Sequence, residues 1–146
     1  MSDLNVSYGL GARHEDHELA EERCWALLGA SGVGRFGFVH EGRVAVYPIG
    51  YIVLHGSIFF RTSREGSIAK SLPQAGVSIQ TDSTQPSVQA GWSVLISGEA
   101  AVVEDSEELT RLHGHMQNEP WAGGIRDLFV RLDPQQVSGR QVYLAK

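Results

Sequence analysis

Short apolar runs separated by tight polar turns constrain the fold of this chain most. Apolar runs over 33–39, 44–54 and 58–61 are rich in β-branched and aromatic residues, and glycine-containing turns follow the first two. This pattern predicts three strands joined as hairpins. Pro48 removes a ladder hydrogen bond, so we expect it at an edge, a bulge or a strand end. The segment therefore predicts an antiparallel meander.

Three other segments have helical patterns. In residues 18–30 the apolar side chains recur near one helix face, and glycines end the segment. A short helix is predicted over 67–72, where a proline stops it. Asp105 and Glu108 fit a capping box for a third helix over 106–115.

Further strands are predicted over 77–81, 92–103, 128–132 and 136–144, with Gly98 at a β-bulge. Six or more strands with only three helices predict a barrel-like all-β or α+β domain, and a mainly β barrel with flanking helices is the fold class that we expect.

Length and composition set the outer limits. The chain has 146 residues, which suits one domain over 17–146 preceded by a flexible N-terminal arm over 1–16. The formal charge of −5 argues against general nucleic-acid binding. The single cysteine excludes a disulfide framework within the chain, and no signal peptide or membrane span is evident. We therefore expect a cytoplasmic protein.

The segment Phe59–Ser67 contains the most informative candidate site. Two phenylalanines belong to a strand, and Arg61 supplies a planar fork of donors that suits a phosphate. Hydroxyl groups follow, and Gly66 allows a ligand to approach the backbone closely. The segment predicts a phosphate-bearing cofactor at the end of the strand.

Several segments, taken in order, resemble the FMN-binding split-barrel family related to pyridoxamine 5′-phosphate oxidase. The resemblance covers roughly residues 18–142. After the opening helix, the matching segments are Gly34–Phe38, Val46–Tyr51, Phe60–Ser63 with Gly66 and Ser67, Gly91–Gly98 with Ala100, Val130–Leu132 and Val137–Arg140.

That resemblance implies a six- to seven-stranded split barrel and a homodimer that binds FMN in two clefts at the subunit interface. The implied phosphate ligands are Arg61, Thr62, Ser63 and Ser67. The segment implied to lie along the isoalloxazine ring is Pro48, Ile49, Gly50 and Tyr51. The residues implied to lie near the flavin are Gln80, Trp92 and Ser93, the last two as candidates from the partner subunit.

The chain departs from the family at one position. Relatives usually have a lysine two residues after Gly66, where this chain has Ile68. The nearest lysine, Lys70, is a further candidate, although two residues turn a helical side chain by about 200°. This departure leaves FMN, a deazaflavin and an empty site as open alternatives.

A second motif has an ordinary explanation. Residues 32–37 match the dinucleotide fingerprint G-x-G-x-x-G, but a predicted helix precedes them and a strand follows, which is the reverse of the required order. We therefore interpret these glycines as structural.

The resemblance favours a flavin-dependent oxidoreductase that acts on a small molecule, with no metal and no identified catalytic residue. One alternative is a non-catalytic protein that binds or sequesters a flavin, a deazaflavin or haem. Another is an interaction protein whose flavin site has decayed.

Overall fold

The structure is a computed structural model that describes residues 13–88, 90–115 and 127–145. Within them the chain forms seven strands and three α-helices. The strands are β1 (Arg13–Glu18), β2 (Ser31–His40), β3 (Arg43–Leu54), β4 (Ser57–Thr62), β5 (Gln74–Gln85), β6 (Ala90–Val102) and β7 (Leu128–Ala145). The helices are α1 (Glu21–Leu28), α2 (Ser67–Ser71) and α3 (Ser106–His115), with a 3₁₀ turn at Pro86–Val88.

All strand pairs are antiparallel, and the sheet closes on itself. The strand order is β1-β7-β4-β3-β2-β5-β6, and an additional pairing of β6 with β7 joins the two ends. Six strands therefore form a barrel, while β1 is added to the far end of β7 through the register Arg13↔Ala145 to Glu18↔Arg140. This confirms the predicted mainly β split barrel with flanking helices.

The two hairpins of the predicted meander are present. Glu41–Gly42 joins β2 to β3 and His55–Gly56 joins β3 to β4, and all four residues have positive φ. Two-residue turns of this kind match the right-handed twist of the strands, which fixes the register of both hairpins. Pro48 lies in the part of β3 that pairs with β2 but has no β4 partner in the described register, so it occupies an edge.

The main core fills the barrel. Phe36, Ile79 and Ile96 lie opposite one another on β2, β5 and β6, and all three are fully buried. A second, smaller cluster lies outside the barrel beneath α3, where Leu112 packs with side chains that include Phe59. Successive residues of β4 therefore point alternately into the barrel and towards α3.

Arg131 fastens α3 to the barrel. Its Nη1 donates to Glu108 of α3 at 2.9 Å and its Nε donates to Asp133 at 2.7 Å. Burial alone would raise the pKa of Asp133, but hydrogen bonds from Arg131 and Ser57 hold that pKa below its ordinary value. One half of the predicted capping box is present, because Asp105 accepts a hydrogen bond from the Glu108 amide at 3.0 Å. The Glu108 carboxylate pairs with Arg131 instead of reaching back to the cap.

The elements at the start of the chain differ from the prediction, and β5 covers residues 74–85 where the sequence predicts a strand over 77–81. The first helix covers residues 21–28 rather than 18–30, and β1 includes residues 13–16 of the predicted arm. Pairing with β7 extends the chain up to Glu18, and this long-range contact outweighs the helical pattern of that residue. Residues 1–12 of the arm lie outside the described residues.

The two closing strands of the prediction form one continuous strand, β7. Gly98 lies opposite Pro134 while Ser97 lies opposite Gln136, so Gln135 is the extra residue at a bulge. The predicted irregularity at Gly98 is therefore confirmed, and it allows β7 to continue past its proline. A Cβ at position 98 would collide with the Asp133 carbonyl oxygen. None of the helices in the described part of the chain is both long and apolar enough to cross a membrane.

We expect Gly98→Ala to lower the free energy of unfolding by about 2 kcal/mol or more, because rigid backbone surrounds the added methyl group. Gly37→Ala is the matched strand control, since the nearest atom to its Cβ would be the Ser78 carbonyl oxygen at 4.0 Å. Chemical denaturation of both variants makes the comparison. Equal stability losses in the two variants would contradict the role of Gly98 in the bulge.

Candidate functional site

The candidate site lies where β3 and β4 separate. Their pairing ends at Tyr51↔Phe60, although continuing the register would place Arg61 opposite Gly50. From that point β4 remains paired with β7 as far as Thr62. A gap in the barrel wall therefore opens between the end of β4 and the central part of β3.

The β3 side of the gap presents backbone groups. In a hairpin with a two-residue turn, the residues that flank the turn form a hydrogen-bonded pair, which here is His40 and Arg43. Backbone N–H and C=O groups alternate in direction along a strand, so from Arg43 onwards those of the odd-numbered β3 residues point towards β2. The hydrogen bond from the Val53 amide to the Ala30 carbonyl at 2.9 Å agrees with this assignment. The polar backbone atoms of Pro48 and Gly50 face the gap instead.

The β4 side of the gap continues into a tight turn and α2. The Ser63 hydroxyl accepts a hydrogen bond from the Glu65 amide at 3.3 Å, and the Ser63 carbonyl accepts one from the Gly66 amide at 3.2 Å. These bonds fix the turn that brings Ser67 back towards β3. The Ser67 hydroxyl lies 3.3 Å from the Tyr47 hydroxyl. Residues 63–67 therefore form a tight turn between β4 and α2.

The Thr62 hydroxyl is a buried polar group at the end of β4. Its side chain is only 4% exposed and, by alternation with Phe60, is directed to the interior of the barrel. The structure gives the Thr62 hydroxyl no hydrogen-bond partner within residues 13–88, 90–115 and 127–145. Buried polar groups are nearly always satisfied, so this hydroxyl fits contact with a ligand atom.

The position that departs from the family faces the core. Ile68 is buried and belongs to the main core cluster, while Lys70 is exposed on the other side of α2. The structure therefore does not bring Lys70 to the position of Ile68. Of the nearby cations, Arg61 is half-buried, and Arg64 is paired with Asp127 at 3.1 Å.

Two predicted ring contacts have side chains in the core. The Tyr51 hydroxyl donates to the Leu28 carbonyl at 2.7 Å, and burial raises the pKa of Tyr51. Ile49 is also buried. The side chains of both residues are thus directed away from the gap, and only the backbone of this segment is available there. Tyr51 stays protonated at neutral pH and supports α1.

The predicted flavin neighbours lie elsewhere in the protomer. Gln80 faces outwards on β5, where it accepts from Arg35 at 3.0 Å and donates to Asp82 at 2.9 Å. Trp92 packs against the main core from β6, and Ser93 lies opposite Asp82. Gln80 lies on β5, which β2 and β3 separate from β4. Ser93 pairs with β7 at Arg140, whereas Arg61 pairs with β7 at Phe129, so the two lie far apart along that strand. The structure therefore does not bring the three predicted flavin neighbours together with Arg61 in one protomer.

Two of the three glycines of the G-x-G-x-x-G match, Gly32 and Gly34, serve sheet packing. A Cβ at Gly32 would lie 2.6 Å from the Tyr51 hydroxyl, and one at Gly34 would lie 2.7 Å from the Gln80 carbonyl oxygen. Both glycines allow close approach within the barrel, which confirms the structural interpretation. No group of three or more potential metal ligands exists among the residues that the structure describes.

Tyr47 is the residue that sequence reasoning missed. It is 44% exposed, and its ring lies 5.6 Å from that of Phe38. Tyr47 and Tyr51 are four residues apart and share one face of β3. The strand alternation places both on that face, but only the position of the gap shows which one is exposed beside it.

Comparisons with known proteins agree with this architecture. A family model described as pyridoxamine 5′-phosphate oxidase matches residues 20–141. An uncharacterised protein of Mycobacterium tuberculosis is 28% identical over 130 residues, which cover 86% of this chain and 84% of that protein.

Two solved structures have similar folds. A FAD-binding protein from Mycobacterium smegmatis gives a TM-score of 0.70 at 24% identity, covering 86% of this chain and 97% of that one. A FAD-binding protein from Mesorhizobium loti gives a TM-score of 0.69 at 25% identity, with the same coverages of 86% and 97%.

The barrel, its added strand and the gap between β3 and β4 define a split-barrel protein. The match over residues 20–141 identifies the family more closely, and the chain belongs to the pyridoxamine 5′-phosphate oxidase family.

Proposed function

We propose that this protein binds a flavin nucleotide in the gap between β3 and β4 and catalyses a redox reaction on a small molecule. The observation that carries the proposal is the grouping of phosphate-type donors at one end of the gap with an unpaired strand backbone along its side. Arg61, Ser63 and Ser67 supply the donors, and Pro48 and Gly50 supply the backbone.

The residues present fit such a group. The buried Thr62 hydroxyl lacks a partner within the described residues, and the hydroxyls of Ser67 and Tyr47 lie at the same end of the gap. A phosphate offers several strong acceptor oxygens, and a guanidinium is well suited to bind them. FMN has a single terminal phosphate and is the simplest ligand of this kind. The similarity to a FAD-binding protein at 25% identity favours FAD as the second candidate.

When bound, the flavin supplies the electron transfer. The chain supplies binding and orientation: the donors of residues 61–67 hold the phosphate, and the β3 backbone positions the ring along the gap. Tyr51, the only tyrosine of the predicted ring segment, is buried and donates to a backbone carbonyl, so it does not act as an acid or base there. The chain thus acts mainly through geometry and electrostatics.

The proposed assembly is a homodimer. The outer face of β2 and β3 carries an outer valine patch, defined as Val33, Val39, Val44 and Val46, of which Val44 is 77% exposed and Val46 is 58% exposed. An apolar surface of this kind is typical of a protein interface. A second copy on this face also offers a way to place Trp92 and Ser93, which lie far from Arg61 in their own protomer, beside the gap of the partner.

The alternative is a non-catalytic protein that binds a flavin, a deazaflavin or haem. It is favoured by the lack of an identified acid, base or nucleophile beside the gap in the described residues. The same cleft serves either function, so only chemistry on the bound ligand separates them.

The redox function predicts a yellow complex after the purified protein is mixed with FMN or FAD. Under anaerobic conditions we expect NADH or NADPH to bleach the flavin absorbance, and a small-molecule acceptor to restore it. A bound flavin that neither nucleotide reduces would favour the binding protein. Protein that takes up none of FMN, FAD or a deazaflavin would remove the proposal.

We expect Arg61→Ala to weaken FMN binding by about 2 kcal/mol, or roughly 30-fold, because a charge-assisted contact to the phosphate is lost. Arg64→Ala is the matched control: it removes the same charge three residues away, from a side chain that is paired with Asp127. Fluorescence titration measures both affinities. Equal losses of FMN affinity in the two variants would show that Arg61 acts only through its charge and not through a direct contact with the phosphate.

The homodimer predicts that sedimentation equilibrium gives twice the chain mass at micromolar concentration. We expect Val46→Glu to shift the protein towards monomer, because a charge would be buried in the interface. Thr110→Glu adds the same charge to the exposed surface of α3 and should leave the dimer intact. A monomeric wild-type protein would contradict the assembly.

A further inference from the structure

Tyr47 reaches across the mouth of the gap. It belongs to β3, yet its hydroxyl lies 3.3 Å from the hydroxyl of Ser67 at the start of α2. The side chain thus lies between the β3 backbone that faces the gap and the start of α2. A large aromatic side chain that is 44% exposed at such a place is available to a ligand.

The hydroxyl pair has one proton to spare. Tyr47 and Ser67 each carry one O–H group, and their mutual hydrogen bond uses only one of the two protons. In this pair Ser67 donates to Tyr47, so the free proton is that of the Tyr47 hydroxyl. The structure gives neither hydroxyl another partner within residues 13–88, 90–115 and 127–145. The pair therefore presents a free donor at the same end of the gap as Arg61.

The phenol is also held in place. Its ring packs against Phe38 at 5.6 Å between centroids, with an interplanar angle of 50°. Phe38 is itself buried and stacks on Phe36 in the main core. The position of the Tyr47 hydroxyl is thus fixed by the barrel, so that little side-chain entropy remains to be lost when a ligand binds.

We propose that the Tyr47 hydroxyl donates a hydrogen bond to the phosphate of the flavin nucleotide, which rests on the flavin site proposed above. Ile68 is buried in the core and Lys70 is exposed on the other side of α2, so the adjoining helix presents no cation there. Tyr47 fills that role with a neutral donor, and it binds the phosphate as part of a pair with Ser67.

The test is Tyr47→Phe, which keeps the ring on Phe38 and removes only the hydroxyl. We expect the affinity for FMN to fall about tenfold, a usual loss for a hydrogen bond to a charged group. Riboflavin has the same ring system without the phosphate, so its affinity should be unchanged. Tyr143→Phe is the control, since Tyr143 is an exposed tyrosine on β7 whose hydroxyl lies 2.9 Å from His17.

Fluorescence titration of FMN, FAD and riboflavin against the full chain separates the outcomes. A loss confined to the phosphate-bearing flavins supports the proposal. Equal losses for FMN and riboflavin would overturn it, because the phenol would then act on the ring. Unchanged FMN affinity would also overturn it while leaving the flavin site intact. Wild-type protein that binds none of the three ligands would overturn the flavin site itself.

Discussion

The antiparallel pairing of β6 with β7 closes the sheet, and the position of the candidate site depends on that closure. β7 pairs with β4 through residues 128–132 and with β6 through residues 130–142, so one strand joins both ends of the barrel. Such a strand must stay paired along its length despite containing Pro134. The bulge opposite Gly98 absorbs one extra residue of β7 and keeps the interior face in register on both sides. Closure also removes most exposed sheet edges, because each strand of the barrel then has two neighbours.

The candidate site occupies the one stretch where closure is incomplete within the described meander. β3 has twelve residues, and only the four over Tyr51–Leu54 pair with β4, so two thirds of β3 has no partner on that side. At this place β4 turns away into a tight turn and α2, which leaves the backbone of Pro48 and Gly50 facing a gap. Proline is tolerated there because the unpaired edge requires no amide hydrogen from it. A flat ligand can use such an edge, since it receives polar backbone groups from one side and hydroxyl donors from the end.

Most of the fold could be predicted from the sequence, because its local signals and its long-range contacts agree. The turns at 41–42 and 55–56 and the cap at Asp105 are local signals, and the structure contains all of them. The missed features depend on contacts between distant segments. Glu18 has a helical pattern but pairs with Arg140, more than a hundred residues away. The choice between Tyr47 and Tyr51 likewise depends on where β4 separates from β3, which no pattern within β3 indicates.

The packing of α2 gives a physical reason why the proposed phosphate site contains hydroxyl groups rather than a second cation. Position 68 holds a buried isoleucine, and a lysine in that orientation would have to place its charge in the main core. Burying an unpaired ammonium group is costly, so a cation at this helix position would require α2 to turn. With α2 packed as it is, the phosphate binding proposed for the gap would depend on Arg61 and on neutral donors. A neutral donor binds a phosphate more weakly than a cation does, but it loses less entropy on binding when it is held rigidly. The turn holds Ser67 in this way, and packing against Phe38 holds Tyr47. The packing that holds Ser67 and Tyr47 in place would therefore also contribute to the affinity of the proposed site for a phosphate.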